Sequence, residues 1–422
     1  MQPRLASVRL SRTLNSAIEG AKILDLKGAF QASAESRGKH RRSPIVDRSD
    51  MPRAQRIVVK VGSSSLTSIE NSLDELAIAT ISDVLAKKKK EHPSIELVFV
   101  SSGAIAAGLA PLGLSRRPKD LATQQAAASV GQSLLMSRYT DIFSRYGVTV
   151  SQVLLTAEDL MARDRYRNAH RQLERLLDLG VMPIINENDA VATREIRFGD
   201  NDRIAALVAH TVKADALLLL SDVDALYTRH PAEGGQRVSQ VRSADDVAGM
   251  DIGSAGSAGV GSGGMVTKVK AAQLAAASGI PALVTSAPNA RAAFAGEDVG
   301  TWFYTTGERR PVQTLWLEHL ADIGGAITVD AGAAAALRRR RSLLAAGVTG
   351  VQGAFDGGHP VAIVDEAGQV LAHALSSYSA GETAQMIGLH TEQIQAAMGE
   401  TYDGTVAHAD NIALVGGAQP TQ

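Results

Sequence analysis

Apolar positions in this chain fall into short continuous runs, separated by stretches with helical spacing. Residues 57–61, 95–100, 148–154, 182–185, 216–220 and 281–284 are such runs, rich in Val, Ile and Leu. Each has the length of a strand and is too short for a helix. Between them, residues 73–90, 121–146, 166–179, 203–211 and 267–277 carry apolar side chains every three or four positions. That spacing predicts one buried helical face. Gly62 follows the first run, and Gly180 and Gly279 close two of the helices. The lysine-rich end of 73–90 suits the negative end of a helix dipole. Strands that are apolar throughout, alternating with helices, predict a mostly parallel sheet with helices on both faces. Ligands on such sheets bind beyond the carboxyl ends of the strands, so chemistry is expected directly after each run.

The pattern changes near residue 299. Residues 302–318 form no strand–helix unit and read as a linker. A second region begins at Gly325, with a helix near 331–341, strands at 361–364 and 370–375, and turns at Gly353, Gly357, Gly358 and Gly368. Short strands with glycine turns predict a small β-rich domain. No fixed repeat is present. The first fifty residues sustain no hydrophobic period, and Arg4, Arg9, Arg12, Arg37, Lys39, Arg41 and Arg42 outnumber the acids. They are expected to be a disordered extension. Residues 1–17 hold arginine and serine without acid, a composition shared with transit peptides, but lack the apolar core of a secretory signal. Met51 stands before the first strand as an alternative start. The expected division is an extension at 1–52, a first domain at 53–300, a linker at 301–322, a second domain at 323–402 and a tail at 403–422.

Composition adds bounds. A chain of 422 residues exceeds one ordinary core, which fits two domains. With 45% hydrophobic and 21% charged residues the profile is soluble and globular. A net charge of -1 gives no global attraction to nucleic acid or anionic membrane. Cysteine is absent, which excludes disulfides, thiol catalysis and cysteine-ligated metal, and fits a reducing cytoplasm. No apolar run reaches the length that spans a bilayer.

Four polar clusters follow predicted strands or open a helix. Lys60-Val61-Gly62-Ser63-Ser64-Ser65 combines a lysine with a glycine that lets backbone approach an anion. It also reads as an ordinary turn with a lysine reaching to solvent. Ser101-Ser102-Gly103-Ala104 places hydroxyls and amides at a helix start, which by itself is equally simple capping. Asn186-Glu187-Asn188-Asp189-Ala190-Val191 and Phe198-Gly199-Asp200-Asn201-Asp202 crowd polar and acidic side chains after an apolar strand. Asp202 sits where it can cap helix 203–211, whereas Asn186, Asp189 and Asn201 have no such simple role. Gly261-Ser262-Gly263-Gly264-Met265-Val266-Thr267-Lys268 opens a helix. Gly259, Gly261 and Gly264 match the dinucleotide spacing, but no strand precedes them. A phosphate-covering loop ending in a lysine fits better.

Taken together, Lys60 to Gly62, residues 101–108 (Ser-Ser-Gly-Ala-Ile-Ala-Ala-Gly), residues 186–193 (Asn-Glu-Asn-Asp-Ala-Val-Ala-Thr), residues 199–202 and residues 263–268 resemble the glutamate 5-kinases of the amino-acid kinase family. Order and spacing match as well, over about residues 53–400, and the second region resembles the PUA domain that follows the kinase in bacterial members. The resemblance implies an α/β three-layer sandwich with a mostly parallel sheet, followed by a small β-rich PUA-like domain. It implies ATP and Mg²⁺ as cofactors, L-glutamate as acceptor, proline as feedback inhibitor, a homo-oligomer, and a cytoplasmic biosynthetic kinase acting first in proline biosynthesis.

Residue by residue, the resemblance makes Lys60 and Lys268 the lysines at the transferring phosphate and Asp202 the acid that orients them. Ser102, Asp189 and Asn201 correspond to glutamate ligands. Lys60, Gly62, Ser221, Asp222 and Ser262, Gly263, Gly264, Met265, Val266, Thr267 and Lys268 correspond to the ATP site. No protein ligand for Mg²⁺ is implied. Three other readings are weighed: a kinase of the same fold with carbamate, acetylglutamate, aspartate or a nucleoside monophosphate as acceptor; from another class, an RNA-binding protein acting through Arg338, Arg339, Arg340 and Arg341; and a dinucleotide-dependent dehydrogenase from the glycine match, discounted because no strand precedes it. That arginine run also suits a helix C-terminus, and nucleic-acid binding is not expected.

Overall fold

The computed structural model describes residues 44–67, 73–161, 163–191, 201–250, 264–306, 317 and 323–415. In the first domain the strands are β1 (Arg56–Val61), β2 (Glu96–Val100), β3 (Val150–Leu155), β4 (Met182–Glu187), β5 (Ala216–Ser221), β6 (Leu226–Tyr227), β7 (Arg237–Val238), β8 (Gln240–Val241), β9 (Ala282–Ser286) and β10 (Thr301–Phe303). Its helices are α1 (Glu75–Glu91), α2 (Ala104–Leu109), α3 (Leu121–Ser144), α4 (Ala157–Met161), α5 (Arg163–Asp178), α6 (Asn201–Thr211), α7 (Met265–Ala277) and α8 (Ala290–Ala295). Asp74 and Asp120 cap α1 and α3 by accepting from Ala77 N and Thr123 N.

One eight-stranded sheet runs in the order β3-β4-β2-β1-β5-β9-β10-β8. It is parallel except where β10 runs against β9. Alternate strand residues divide between two cores, as a pleated strand requires. Val58, Val100, Ile185, Leu217 and Leu219 pack on one face with Leu160, Leu173, Ile204, Val208 and Leu274 of α4 to α7. Val59, Phe99, Ile184, Leu218 and Leu220 pack on the other face with Leu85, Leu135, Phe143 and Phe294 of α1, α3 and α8. The three-layer sandwich expected from the apolar runs is therefore present. β1 is central: the chain goes from β2 to the edge strand β3, returns to place β4 between them, then crosses to β5 and β9 on the other side. The switch point of the sheet lies at the end of β1, the place where parallel sheets open a ligand crevice.

α2 and α3 approach more closely than side chains permit. A Cβ on Gly131 would stand 1.8 Å from Ala104 O, and one on Gly108 would stand 1.9 Å from Ala127 O. Both glycines are required by this backbone contact.

The second domain carries β11 (Gly325–Val329), β12 (Leu343–Leu344), β13 (Val348–Gly353), β14 (Pro360–Val364), β15 (Val370–Leu375), β16 (Thr405–Ala407) and β17 (Ile412–Leu414). Its helices are α9 (Ala331–Arg338), α10 (Ala380–Met386) and α11 (Thr391–Met398). A five-stranded sheet, β13-β11-β14-β15-β17, and a β12-β16 pair surround a core of Ile327, Val329, Leu337, Ile363, Met386 and Ile394. Leu317 packs on Ala413, and His373 Nδ1 donates to Leu317 O at 2.9 Å.

Three boundaries differ from the pattern reading. The expected linker at 301–322 begins later, because Thr301–Phe303 is a strand with Trp302 buried; three residues gave no period to detect. The expected tail at 403–422 begins later too, since β16 pairs with β12 and β17 with β15. The extension expected at 1–52 ends earlier. Residues 1–43 lie outside the described residues, but Arg48–Arg53 form a 3-10 helix against the body. Ile45 and Met51 enter the core, and the Arg48 guanidinium pairs with Asp298 and donates to Ser239 O. Trp302 Nε1 donates to Val46 O at 3.3 Å, and Tyr304 OH donates to Asp47 at 2.9 Å. These contacts come from residues some 250 positions away, so no local period announces them. A chain beginning at residue 54 should melt about 5–15 °C below one beginning at residue 44, for ~2–5 kcal/mol lost with the Met51 side chain alone. Differential scanning calorimetry of the two proteins measures this, and equal midpoints would show that residues 45–53 contribute nothing.

Candidate active site

The carboxyl ends of β1, β2, β4 and β5 gather the polar clusters on one edge of the sheet. Lys60 is the penultimate residue of β1, paired in register with Val100 on one side and Leu219 on the other. Its side chain is only 3% exposed, yet its stem lies among apolar strands with the ammonium at the sheet edge. Asp202, in the first turn of α6, is 0% exposed. Lys60 Nζ stands 2.5 Å from Asp202 Oδ1. Lys268, in the first turn of α7 and 4% exposed, places Nζ 3.4 Å from Asp202 Oδ2. Thr267 Oγ1 donates to the same Oδ2 at 3.1 Å. Asp202 is therefore no helix cap: α6 starts at Asn201, and Asp202 turns inward to hold two lysines.

A buried carboxylate is costly unless charge and hydrogen bonds surround it. Two ammonium groups against one carboxylate also leave a net positive charge at the sheet edge. Gly62 follows β1 and donates to Leu220 O at 3.1 Å. Its backbone is ordinary extended chain, but a Cβ there would lie 3.7 Å from Lys60 Nζ. Glycine thus leaves open the space over the ammonium. Gly264 precedes α7 without a side-chain cap, so Met265, Val266 and Thr267 start a 13-residue helix whose positive dipole end lies beside Lys268. Ser221 ends β5, and its Oγ donates to Asp222 Oδ1 at 2.8 Å. Ser262 and Gly263, with the 192–200 stretch that includes Gly199, lie outside the described residues.

The second half of the site is built from β2 and β4. Ser102 is buried just beyond β2, where Gly103 turns into α2 with φ of 90°. Ser101 N donates to Ile185 O at 2.8 Å, which continues the β2–β4 ladder past its last strand pair. β4 extends two residues further than its apolar run, so Asn186 and Glu187 are strand residues with buried side chains. Asp189 follows in a turn. Burial pushes its carboxyl up to about 6, and Arg117 opposes the rise. Asn201 Oδ1 and Ser65 Oγ are buried without a hydrogen-bond partner among the described residues, as polar atoms awaiting a ligand would be. No group of three acids or histidines able to hold a metal occurs among the described residues.

The pattern reading missed two participants, Arg117 near Asp189 and Gln132 beneath Asn186; Thr267, which it placed with the ATP site, is found donating its hydroxyl to Asp202. The signal for Gln132 was a polar residue on an otherwise apolar helix face, but its partner lies 54 positions away.

Comparison with known proteins shows the family. The model of the amino acid kinase family matches residues 55–286, and that of the PUA domain matches residues 325–398. A glutamate 5-kinase of Streptomyces coelicolor is 54% identical over 364 residues, covering 86% of this chain and 97% of that protein. One from Thermobifida fusca is 50% identical over 371 residues, covering 87% of this chain and 95% of that protein. With near-complete coverage on both sides and both domains matched, this chain belongs to the amino acid kinase family and, within it, to the glutamate 5-kinases.

Proposed function

We propose that this chain transfers the γ-phosphoryl group of ATP to the side-chain carboxylate of L-glutamate, giving L-glutamyl 5-phosphate, the first step of proline biosynthesis. The observation that carries this reading is the Lys60–Asp202–Lys268 arrangement at the carboxyl end of the sheet, with a further carboxylate, Asp189, just after β4. The first half suits a phosphate in transfer, and the second suits an ammonium group. Ser102, buried after β2, and Asn201, with its buried Oδ1 unpartnered among the described residues, are proposed as further polar contacts for the amino acid.

The chemistry needs no general base. A glutamate side chain titrates near ~4.3 and is already an anion at neutral pH. The obstacle is repulsion between that anion and the γ-phosphate. Lys60 and Lys268 offset it, and Asp202 keeps both aimed at one point, so their charge is in place before the reaction begins. The α7 N-terminus and the amides after Gly62 add donors to the phosphate oxygens. Ser221 and Asp222, at the end of β5, are proposed to contact the nucleotide. Mg²⁺ is proposed to arrive with ATP; it keeps water and phosphate oxygens in its shell and asks little of the protein. Proline is proposed to compete for the amino-acid pocket, and the protein to act as a cytoplasmic homo-oligomer. No helix among the described residues is long and apolar enough to cross a membrane.

Purified protein given ATP, Mg²⁺ and L-glutamate should form acyl phosphate that hydroxylamine traps as hydroxamate. Formation independent of glutamate, or none in a folded sample, would sink the reading. Asp202→Asn should lower kcat by ~10²–10³. The same change should cost about 3–5 kcal/mol of stability, because two buried ammonium groups lose their counter-charge. Steady-state kinetics and a melting curve separate these effects, and wild-type kcat would remove Asp202 from the mechanism.

Asp189 makes a pH prediction. Its raised carboxyl pKa means the fold binds this proton more tightly than the unfolded chain. The associated stability is present below the ordinary value of 3.8 and is lost as pH rises through about 6. An ammonium ligand offsets that loss only when Asp189 is ionised. The glutamate KM should therefore climb towards about tenfold per pH unit below pH ~6, with the ATP KM unchanged. Glutamate should also raise the melting temperature more at pH 8 than at pH 5. A glutamate KM flat across this range would show that Asp189 does not bind the ammonium.

A further inference from the structure

Gln132 occupies the middle of α3 and is 8% exposed. A glutamine in a helix can usually turn to water, so burying its amide demands a partner. The partner is Asn186, the penultimate residue of β4, itself 1% exposed. Asn186 Nδ2 donates to Gln132 Oε1 at 2.7 Å. On its other side, Asn186 Oδ1 accepts from Glu187 N at 2.9 Å. The two bonds fix which end of the Asn186 amide is donor and which is acceptor. Rotating it by half a turn would set oxygen against oxygen and nitrogen against N–H.

This lock stands at the end of β4, next to the Ser101–Ser102 turn and three residues before Asp189. Ile185, the residue before Asn186, accepts from Ser101 N, so Asn186 lies level with Ser101 and Ser102 at the mouth of the sheet. Three residues on, the same chain reaches Asp189. On the helix side, Gly131 lets α3 touch Ala104 O, at the start of the helix that leaves Ser102. Consecutive residues of α3 therefore brace both walls, Gly131 against the Ser102 wall and Gln132 against the Asp189 wall. Two turns further along the same face, Tyr139 OH lies 2.8 Å from Ser101 Oγ, a second buried hydrogen bond from α3 to the same edge.

We propose that Gln132 is a positioning residue for the amino-acid substrate, acting through the side chain of Asn186 to set the strand end that carries the chain to Asp189. This rests on the proposed glutamate reading, because it takes the Ser102–Asp189 pocket to be the glutamate site. Gln132 belongs to α3, which packs on the opposite face of the sheet from α7 and its Lys268. Its effect should fall on the amino acid and spare the nucleotide.

The test uses the full-length protein in the hydroxamate assay with L-glutamate and ATP varied separately. Gln132→Met keeps the length of the side chain and removes the acceptor. The glutamate KM should rise about tenfold while the ATP KM stays within about twofold, the size expected when one buried donor loses its partner. Because the action runs through Asn186, the Gln132→Met, Asn186→Ala double variant should bind glutamate no worse than Asn186→Ala alone. Should Gln132→Met fail to fold, Asn186→Ala removes the other end of the same bond and is read the same way. An unchanged glutamate KM, an equal rise for both substrates, or additive losses in the double variant would overturn the positioning role. A wild-type protein that makes no glutamate-dependent hydroxamate would overturn the glutamate reading itself, whereas an active wild type with an indifferent Gln132 variant overturns only this inference.

Discussion

Asp202 has a carboxylate from which water is excluded, and it is held by lysines from two different parts of the chain. Left alone, a buried carboxylate would take up a proton or force the fold open. Paired with Lys60 and Lys268 it fixes three elements at one point: the end of β1, the start of α6 and the start of α7. A shift of any of the three would break a buried ion pair. That constraint makes the proposed catalytic geometry also a structural one.

The sheet order places this triad at the crossover. β1 lies between β2 and β5, so the chain must leave to one side and return to the other, and the crevice opens over Lys60. The elements proposed to hold the nucleotide include β5, on one side of β1, and those proposed to hold the amino acid are β2 and β4, on the other. Under that proposal two anions would meet from separate supports, which is what a transfer between ATP and a carboxylate requires.

Precision on the amino-acid side comes from beneath. α2 and α3 meet backbone to backbone through Gly108 and Gly131, a contact with little slack because any Cβ would collide with a carbonyl oxygen. From that fixed helix, Gln132 and Tyr139 reach Asn186 and Ser101. Rigid elements under a pocket are the usual way to hold a small substrate within a fraction of an ångström. The second domain has its own sheet and core, so its stability does not have to be drawn from the catalytic crevice.

How much of this the sequence determined depends on the range of each interaction. Apolar runs at 57–61 and 216–220 specified strands, and the helical spacing of 121–146 specified α3, because side-chain periodicity is a local property. Lys60, Ser102, Asp189, Asn201 and Lys268 were singled out by their positions after strands and at a helix start, and by their resemblance to a known kinase family. Asp202 was read two ways: its place at a helix start suggested a cap, the family resemblance suggested an acid orienting two lysines, and the fold shows it turned inward to Lys60 and Lys268. Residues 45–53, β10 and β17 were misread, because each is held by partners remote in sequence and is too short for a period of its own. The Gln132–Asn186 bond was invisible for the same reason. A glutamine on an apolar helix face shows that a partner is needed, but only the packing of α3 on β4 decides which one.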